Sequence, residues 1–406
     1  MKESQKPLIY IILPVFAGIA LIAFFSLLSS NKGREIPPPP ADLAQKESTQ
    51  EYDLGEPVED KRISFYTLPG GLDEAQIHDI KFYDGAMWLG TDKGLLRIKD
   101  KKITQFRQFS AWPFEWVKDL TFTPAGIVVQ TYVAQGNTGG TPAGTNIFDP
   151  KTQHWKQLGR NALAQIWYDG ALYQASSKLV KRMPENDWKA DVIVQSICGK
   201  SPTSLSMIAA AQNLWIVGQG STLRQHASSS IGCGLTRYNP ADNSTTVFHV
   251  KDGLLNEYGW DIAGDDKAVY ISHSIKDNTM SVYNIKEDKL GAYAVGGSGN
   301  HISVSPKTIW IAKATPSLPL RRIDRGSGLA RNFGAFSPPV EGQAMAEETK
   351  EITEGTAPTE QKKPEPNEYV SAIGLDGNQV WIGTYIKVWD GPKYTIKSRL
   401  GVYEDK

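Results

Sequence analysis

Apolar and polar positions along this chain follow three patterns in succession. The first is unbroken: residues 7–28 (PLIYIILPVFAGIALIAFFSLL) hold 22 positions without a charge, with Lys2 and Lys6 before them and Lys32 and Arg34 after. Wound as a helix, this run is roughly 33 Å long, enough to cross the hydrocarbon layer of a bilayer. A cleaved signal peptide has an apolar region of about 7–15 residues ending in a small-x-small site. This run is longer and has no clear site, so residues 7–30 are predicted to be an uncleaved transmembrane signal-anchor helix behind a head of residues 1–6. The second pattern is polar: residues 31–61, with four consecutive prolines at 37–40 followed by an acid-rich stretch, are predicted to be a stiff, then flexible tether. From residue 62 onward, short β-rich runs alternate with Gly, Asp and Asn turns, which predicts strands throughout.

Those runs repeat. A ten-residue unit occurs seven times without internal gaps: 79–88 (DIKFYDGAMW), 119–128 (DLTFTPAGIV), 164–173 (AQIWYDGALY), 206–215 (SMIAAAQNLW), 261–270 (DIAGDDKAVY), 301–310 (HISVSPKTIW) and 372–381 (AIGLDGNQVW). Each unit reads as strand, tight turn, strand, because Asp-Gly supplies the positive-φ residues of a two-residue hairpin. Two further strand-like runs follow, at 94–98 and 103–107 in the first copy and at 234–238 and 244–248 in the fourth. Four strands per copy describe a propeller blade.

The last position of the unit falls at Trp88, Val128, Tyr173, Trp215, Tyr270, Trp310 and Trp381, at spacings of 40, 45, 42, 55, 40 and 71. Removing a serine-rich insertion at 219–231 and a Pro/Glu/Thr/Lys-rich segment at 337–368 shortens the two long spacings to 42 and 39, close to the period of a four-stranded blade. The second segment has almost no large apolar residues and is predicted to be disordered. Copy seven reaches only its third strand, at 400–404, and residues 63–67 (ISFYT) belong to no copy of their own. The phrase Gly71-Leu72 with Asp79 seven residues beyond the leucine matches Gly253-Leu254 and Asp261 after the fourth strand of copy four. The expectation is therefore an all-β seven-bladed propeller over 62–406, its last blade completed three-plus-one by the N-terminal strand, which removes open edges.

An Asp-Gly turn, then Met87-Trp88-Leu89-Gly90-Thr91 and Val380-Trp381-Ile382-Gly383-Thr384, then Gly-Leu-x-x-hydrophobic, resemble the two-component regulator propeller repeat. The resemblance covers about 62–406 and is sharp in copies one and seven. It implies a β-propeller of the kind that forms the extracytoplasmic sensing half of histidine kinases. No kinase transmitter follows the propeller in this sequence, so signalling would go through a partner.

Charge changes the picture by exclusion. Forty-four basic residues balance 44 acidic ones, which gives no electrostatic case for nucleic acid. A short head before the span and a long body after it place the propeller on the periplasmic or extracellular side, in a single-pass arrangement. There the two cysteines, Cys198 and Cys233, are candidates for a disulfide; two free buried thiols are the alternative, and a redox pair lacks the C-x-x-C spacing. The first position of the unit is Asp79, Asp119, Ala164, Ser206, Asp261, His301 and Ala372. If the first strand of each blade lines the channel, Asp79, Asp119, Asp261 and His301 form a ring of ligand-binding candidates at one mouth. Such a ring would suit a hard cation such as Ca²⁺. The plainer reading has these carboxylates accept backbone N–H bonds and lock the blade connections. No catalytic residue, histidine metal motif, phosphate loop or nucleophile elbow stands out. The favoured expectation is a monomeric propeller without cofactor that binds an envelope protein or a small ligand. The alternative is a metal-dependent propeller lyase or hydrolase acting at the channel mouth.

Overall fold

The computed structural model describes residues 49–404 apart from 55, 61–62, 107–115, 135–139, 160–161, 199–201, 225–226, 274–278, 295–298, 314–319, 334–367 and 391–392. The predicted anchor and the 337–367 segment lie outside the described residues. Among those described, no helix is long and apolar enough to cross a membrane.

Seven antiparallel sheets are present among the described residues, one for each copy of the repeat. Their inner strands are Ile77–Tyr83, Trp116–Thr123, Ala164–Tyr168, Pro202–Ala210, Gly259–Gly264, Gly299–Val304 and Glu368–Asp376, in blades 1 to 7. Each inner strand packs against the next, and that of blade 7 packs against that of blade 1, so the array is a closed seven-bladed propeller. The inner hairpins turn as their sequences require. Asp84-Gly85 has φ of 52° and 65°, and Asp169-Gly170 has 46° and 74°, the left-handed pair that matches the twist of the flanking strands.

The column of large residues at the end of the repeat unit forms the seams between blades. Trp215 of blade 4 meets Tyr283 of blade 5 at 4.7 Å between ring centroids, and Trp310 of blade 6 meets Tyr403 of blade 7 at 5.3 Å. Tyr173 of blade 3 faces Tyr238 of blade 4 in the same way, at 6.3 Å. These three column aromatics reach the third strand of the following blade, while Trp88 and Trp381 meet Phe122 and Phe82 on the following inner strand, and each such pair adds roughly 0.5–1.5 kcal/mol beyond the area it buries.

Blades 1 and 7 have five strands where the others have four. In blade 7, Ile63–Thr67 runs antiparallel to the third strand, Lys393–Glu404, with Ser64 opposite Val402 and Phe65 opposite Gly401. Val58–Asp60 pairs in turn with Ile63–Thr67, and Thr49–Asp53 pairs with the outer strand of blade 1, Lys102–Phe106. Parts of the segment read as tether are thus strands. Tyr52 and the buried Leu54 pack on the apolar cluster at the junction of blades 7 and 1, and that burial decides the matter over the polar composition. Glu368, read as the end of the disordered insertion, is instead the buried first residue of the inner strand of blade 7. Its carboxylate takes the Arg399 guanidinium at 2.5 Å and the Thr384 hydroxyl at 2.6 Å, while Arg399 lies 4.0 Å above the ring of Phe65.

The serine-rich insertion extends a hairpin. In blade 4 the second and third strands, Asn213–Arg224 and Ala227–Asn239, have 12 and 13 residues, whereas their counterparts in blade 1, Ala86–Thr91 and Gly94–Lys99, have six each. Cys233, on the third strand, is joined by a disulfide to Cys198, with a Cα–Cα distance of 4.4 Å. The bridge ties the connection before blade 4 to the middle of its sheet.

Candidate functional site: the channel and its mouth

Strand direction makes the two faces of the disc unequal. Every inner strand runs the same way, so all turns between first and second strands lie on one face, and each is two or three residues long. The connections between blades start and end on the other face, as do the tips of the long hairpins. The nine residues between Ile63–Thr67 and the inner strand of blade 1, and the ten between blades 4 and 5, include short helical turns, Leu72–Glu74 and Val250–Asp252. We call these the turn face and the connection face.

At the connection face the inner strands are bulged. The register slips between Ile77 and Asp79, Val117 and Asp119, Gly259 and Asp261, Gly299 and His301, and Val370 and Ala372. An extra residue re-aims the side chains that follow it. In these five blades the bulge immediately precedes the first position of the repeat unit, so Asp79, Asp119, Asp261 and His301 all occupy one structural position on the inner ring. Sequence reasoning placed these residues but gave no sign of the bulge, because a gapless repeat is bulged in register with itself.

Two of the aspartates are clamps. Asp79 Oδ1 accepts the N–H of Ile80 on its own strand at 2.9 Å, and Oδ2 accepts the N–H of Leu120 in blade 2 at 2.9 Å. Asp261 does the same between blades 5 and 6, accepting Ile262 N–H at 2.9 Å and Ile302 N–H at 3.0 Å. The Ser206 hydroxyl of blade 4 donates to Asp261 Oδ1 at 2.6 Å, so Asp261 joins three blades. His301 Nδ1 stands 3.9 Å from Asp261 Oδ2.

Asp119 differs although it follows the same bulge. The inner strand of blade 3 starts at Ala164 and has no register slip, and among the described residues none of its amides reaches Asp119. The Leu120 N–H that it can use donates to Asp79 and is only shared with Asp119, the Asp79 carboxylate is itself hydrogen-bonded to that of Asp119, and Gln130 Nε2 donates a 3.4 Å bond. Burial, reinforced by the Asp79 charge, pushes the Asp119 carboxyl up to about 8. Its neighbour Lys81 points into the same channel, with Nζ 3.7 Å from Asp79 Oδ1. Attraction to Asp79 in the first place, with help from Asp119 and Asp261, raises the Lys81 pKa against the opposing effect of desolvation.

The oxygens that a cation would need are therefore spent on backbone N–H groups and on Lys81. Among the described residues, no group of three or more His, Cys, Asp or Glu side chains is arranged to hold a metal ion. The ring expected from the sequence exists as a position; what it does in this structure is fasten blades.

Above the ring stand the bulge residues His78, Lys118 and Trp260. His78 hydrogen-bonds Asp92, and its ring lies 5.9 Å from Trp116 of blade 2. Trp116 is opposite Tyr132 in register, and the Lys118 ammonium sits 4.5 Å over the Tyr132 ring. Lys118 is in contact with water, yet desolvation by the surrounding protein lowers its pKa, opposed only in part by Asp92. Across the ring, the bulge residue of blade 5, Trp260, is 39% exposed.

No family profile and no curated protein matches this sequence. Solved structures resemble the fold. The BT4673 extracellular domain of a one-component system from B. thetaiotaomicron superposes with a TM-score of 0.53 at 11% identity, covering 86% of this chain and 45% of its own. This chain thus spans less than half the length of that protein. The PorZ component of the type-IX secretion system of Porphyromonas gingivalis is similar over 80% of this chain and 38% of its own, at 11% identity and a TM-score of 0.45. YCF48, solved with the D1 peptide, covers 86% of this chain and all of its own at 12% identity and a TM-score of 0.48. At these identities the likeness is one of fold.

Proposed function

We propose that this chain is a membrane-anchored β-propeller of the two-component regulator kind that works outside the cytoplasm as a binding or sensing scaffold for a protein or small-molecule partner. The observation that carries the reading is the inequality of the two faces. A rigid disc that gathers its long hairpins and blade connections around one channel mouth, and carries turns of two to seven residues on the other side, has built one surface for recognition. Residues 7–30 serve as the anchor, supported by their 22 uncharged positions, and the disulfide is consistent with an oxidising compartment. Strand Ile63–Thr67 serves as the latch of the ring, supported by its pairing with Lys393–Glu404 and by the stacking of Arg399 on Phe65. The propeller acts as a monomer.

The test is a photo-cross-linking amino acid placed in intact cells at either end of one inner hairpin. Trp260 stands at the mouth, and Lys267 is exposed in the turn on the opposite face of the same blade. A single envelope protein captured from position 260 and absent at 267 is the expected result. Capture from 267 alone would sink the reading.

A further inference from the structure

Two lysines on neighbouring inner strands reach solvent at the channel, and only one is neutralised. Lys81 lies within reach of Asp79, Asp119 and Asp261. Lys118 is the bulge residue of blade 2 at the connection face; the carboxylate whose charge acts on it, Asp92, is already engaged by His78. Among the described residues Lys118 makes no ion pair, and its contact is the face of Tyr132. Packing against the Tyr132 ring removes part of the water from this accessible ammonium group, a cost that an accompanying anion offsets. Trp116, half-buried on the same strand and opposite Tyr132, adds a second aromatic surface.

We propose that Lys118 anchors the carboxylate of a ligand whose adjoining planar or apolar part lies against Trp116 and Tyr132. One point charge beside the Asp92 carboxylate suits a monoanion; a phosphate dianion would call for further cations and would be repelled by Asp92. This assignment rests on the scaffold reading above and specifies the ligand chemistry of its mouth.

Saturation-transfer NMR on the full chain tests it with sodium benzoate and with benzamide, which has the same ring and no charge. Benzoate binds at least about tenfold more tightly than benzamide. Lys118→Met lowers benzoate to the benzamide level, and Lys118→Arg restores it in large part. Equal binding of the two probes, or benzoate binding indifferent to Lys118→Met, overturns the assignment. Competition against benzoate by the free acid Gly-Gly-Phe or by glucuronate separates a peptide terminus from a sugar acid as the source, and competition by neither also overturns it. Should benzoate fail to bind while cross-linking through position 260 persists in the Lys118→Met chain, the carboxylate anchor is wrong and the scaffold reading stands.

Discussion

Lys81 and Lys118 stand on the inner strands of adjacent blades, both with access to water, and their environments move them in opposite directions. Three aspartates hold the charge of Lys81 in place, whereas Lys118 meets aromatic faces and the partial attraction of Asp92. The difference teaches how a repeat protein separates structure from recognition. Below the bulge, charges are paired with one another and with backbone amides, and they fix the blades. At the bulge, one step nearer the mouth, His78 is paired with Asp92 and Ser371 is buried, whereas Lys118 and Trp260 reach solvent and make no ion pair among the described residues.

The largest way to break this contrast is to remove a clamp. Asp261→Ala strands the Ile262 and Ile302 amides and the Ser206 hydroxyl, and should destabilise the propeller by about 3 kcal/mol, read as a lower midpoint of urea unfolding. A shift within error of the unaltered chain would mean that the carboxylate is not a fastening.

Next in size is a pH effect at Asp119. Its folded-state pKa of about 8 lies above the unfolded value of 3.8, so the folded chain holds the proton more tightly. Stability from this group is complete below about pH 4 and declines as pH rises toward 8. Asp119→Asn should remove that decline, leaving the chain as stable as the unaltered one in acid and more stable near pH 8. Asp79, Lys81 and Gln130 face the same carboxyl, and an unchanged pH profile in the variant would assign the slope to one of its neighbours.

The smallest effect is expected at Lys118. Replacing it with Met loses the contact with Tyr132 and relieves a desolvated charge, so stability should stay within about 0.5 kcal/mol while benzoate binding falls. A large loss of stability would make Lys118 a structural residue like Lys81.

Much of the fold is legible in the sequence, because a propeller writes the same instructions seven times. Asp84-Gly85 and Asp169-Gly170 announce their turns, and the column from Trp88 to Trp381 marks the seams. The position of Asp79, Asp119, Asp261 and His301 on the inner ring is legible for the same reason. Their chemistry is not. Asp79 and Asp119 look alike in the repeat, and what separates them is whether the next blade offers an amide, which depends on a bulge that the strand of blade 3 lacks. Nor does polar composition reveal that Thr49–Asp53 is a strand, since its pairing depends on the outer edge of blade 1, some fifty residues away. The mouth is hidden for a further reason: Trp116 and Lys118 precede the repeat unit, and only the register with Tyr132 brings them together.

The most direct measurement is an NMR titration of the full chain carrying ¹³Cε-lysine, with the Lys81 and Lys118 signals assigned from Lys→Arg variants. Lys118 should titrate below the other surface lysines and Lys81 above them. If both titrate with those other lysines, or if their order is reversed, the division between a paired interior and an unpaired mouth does not hold.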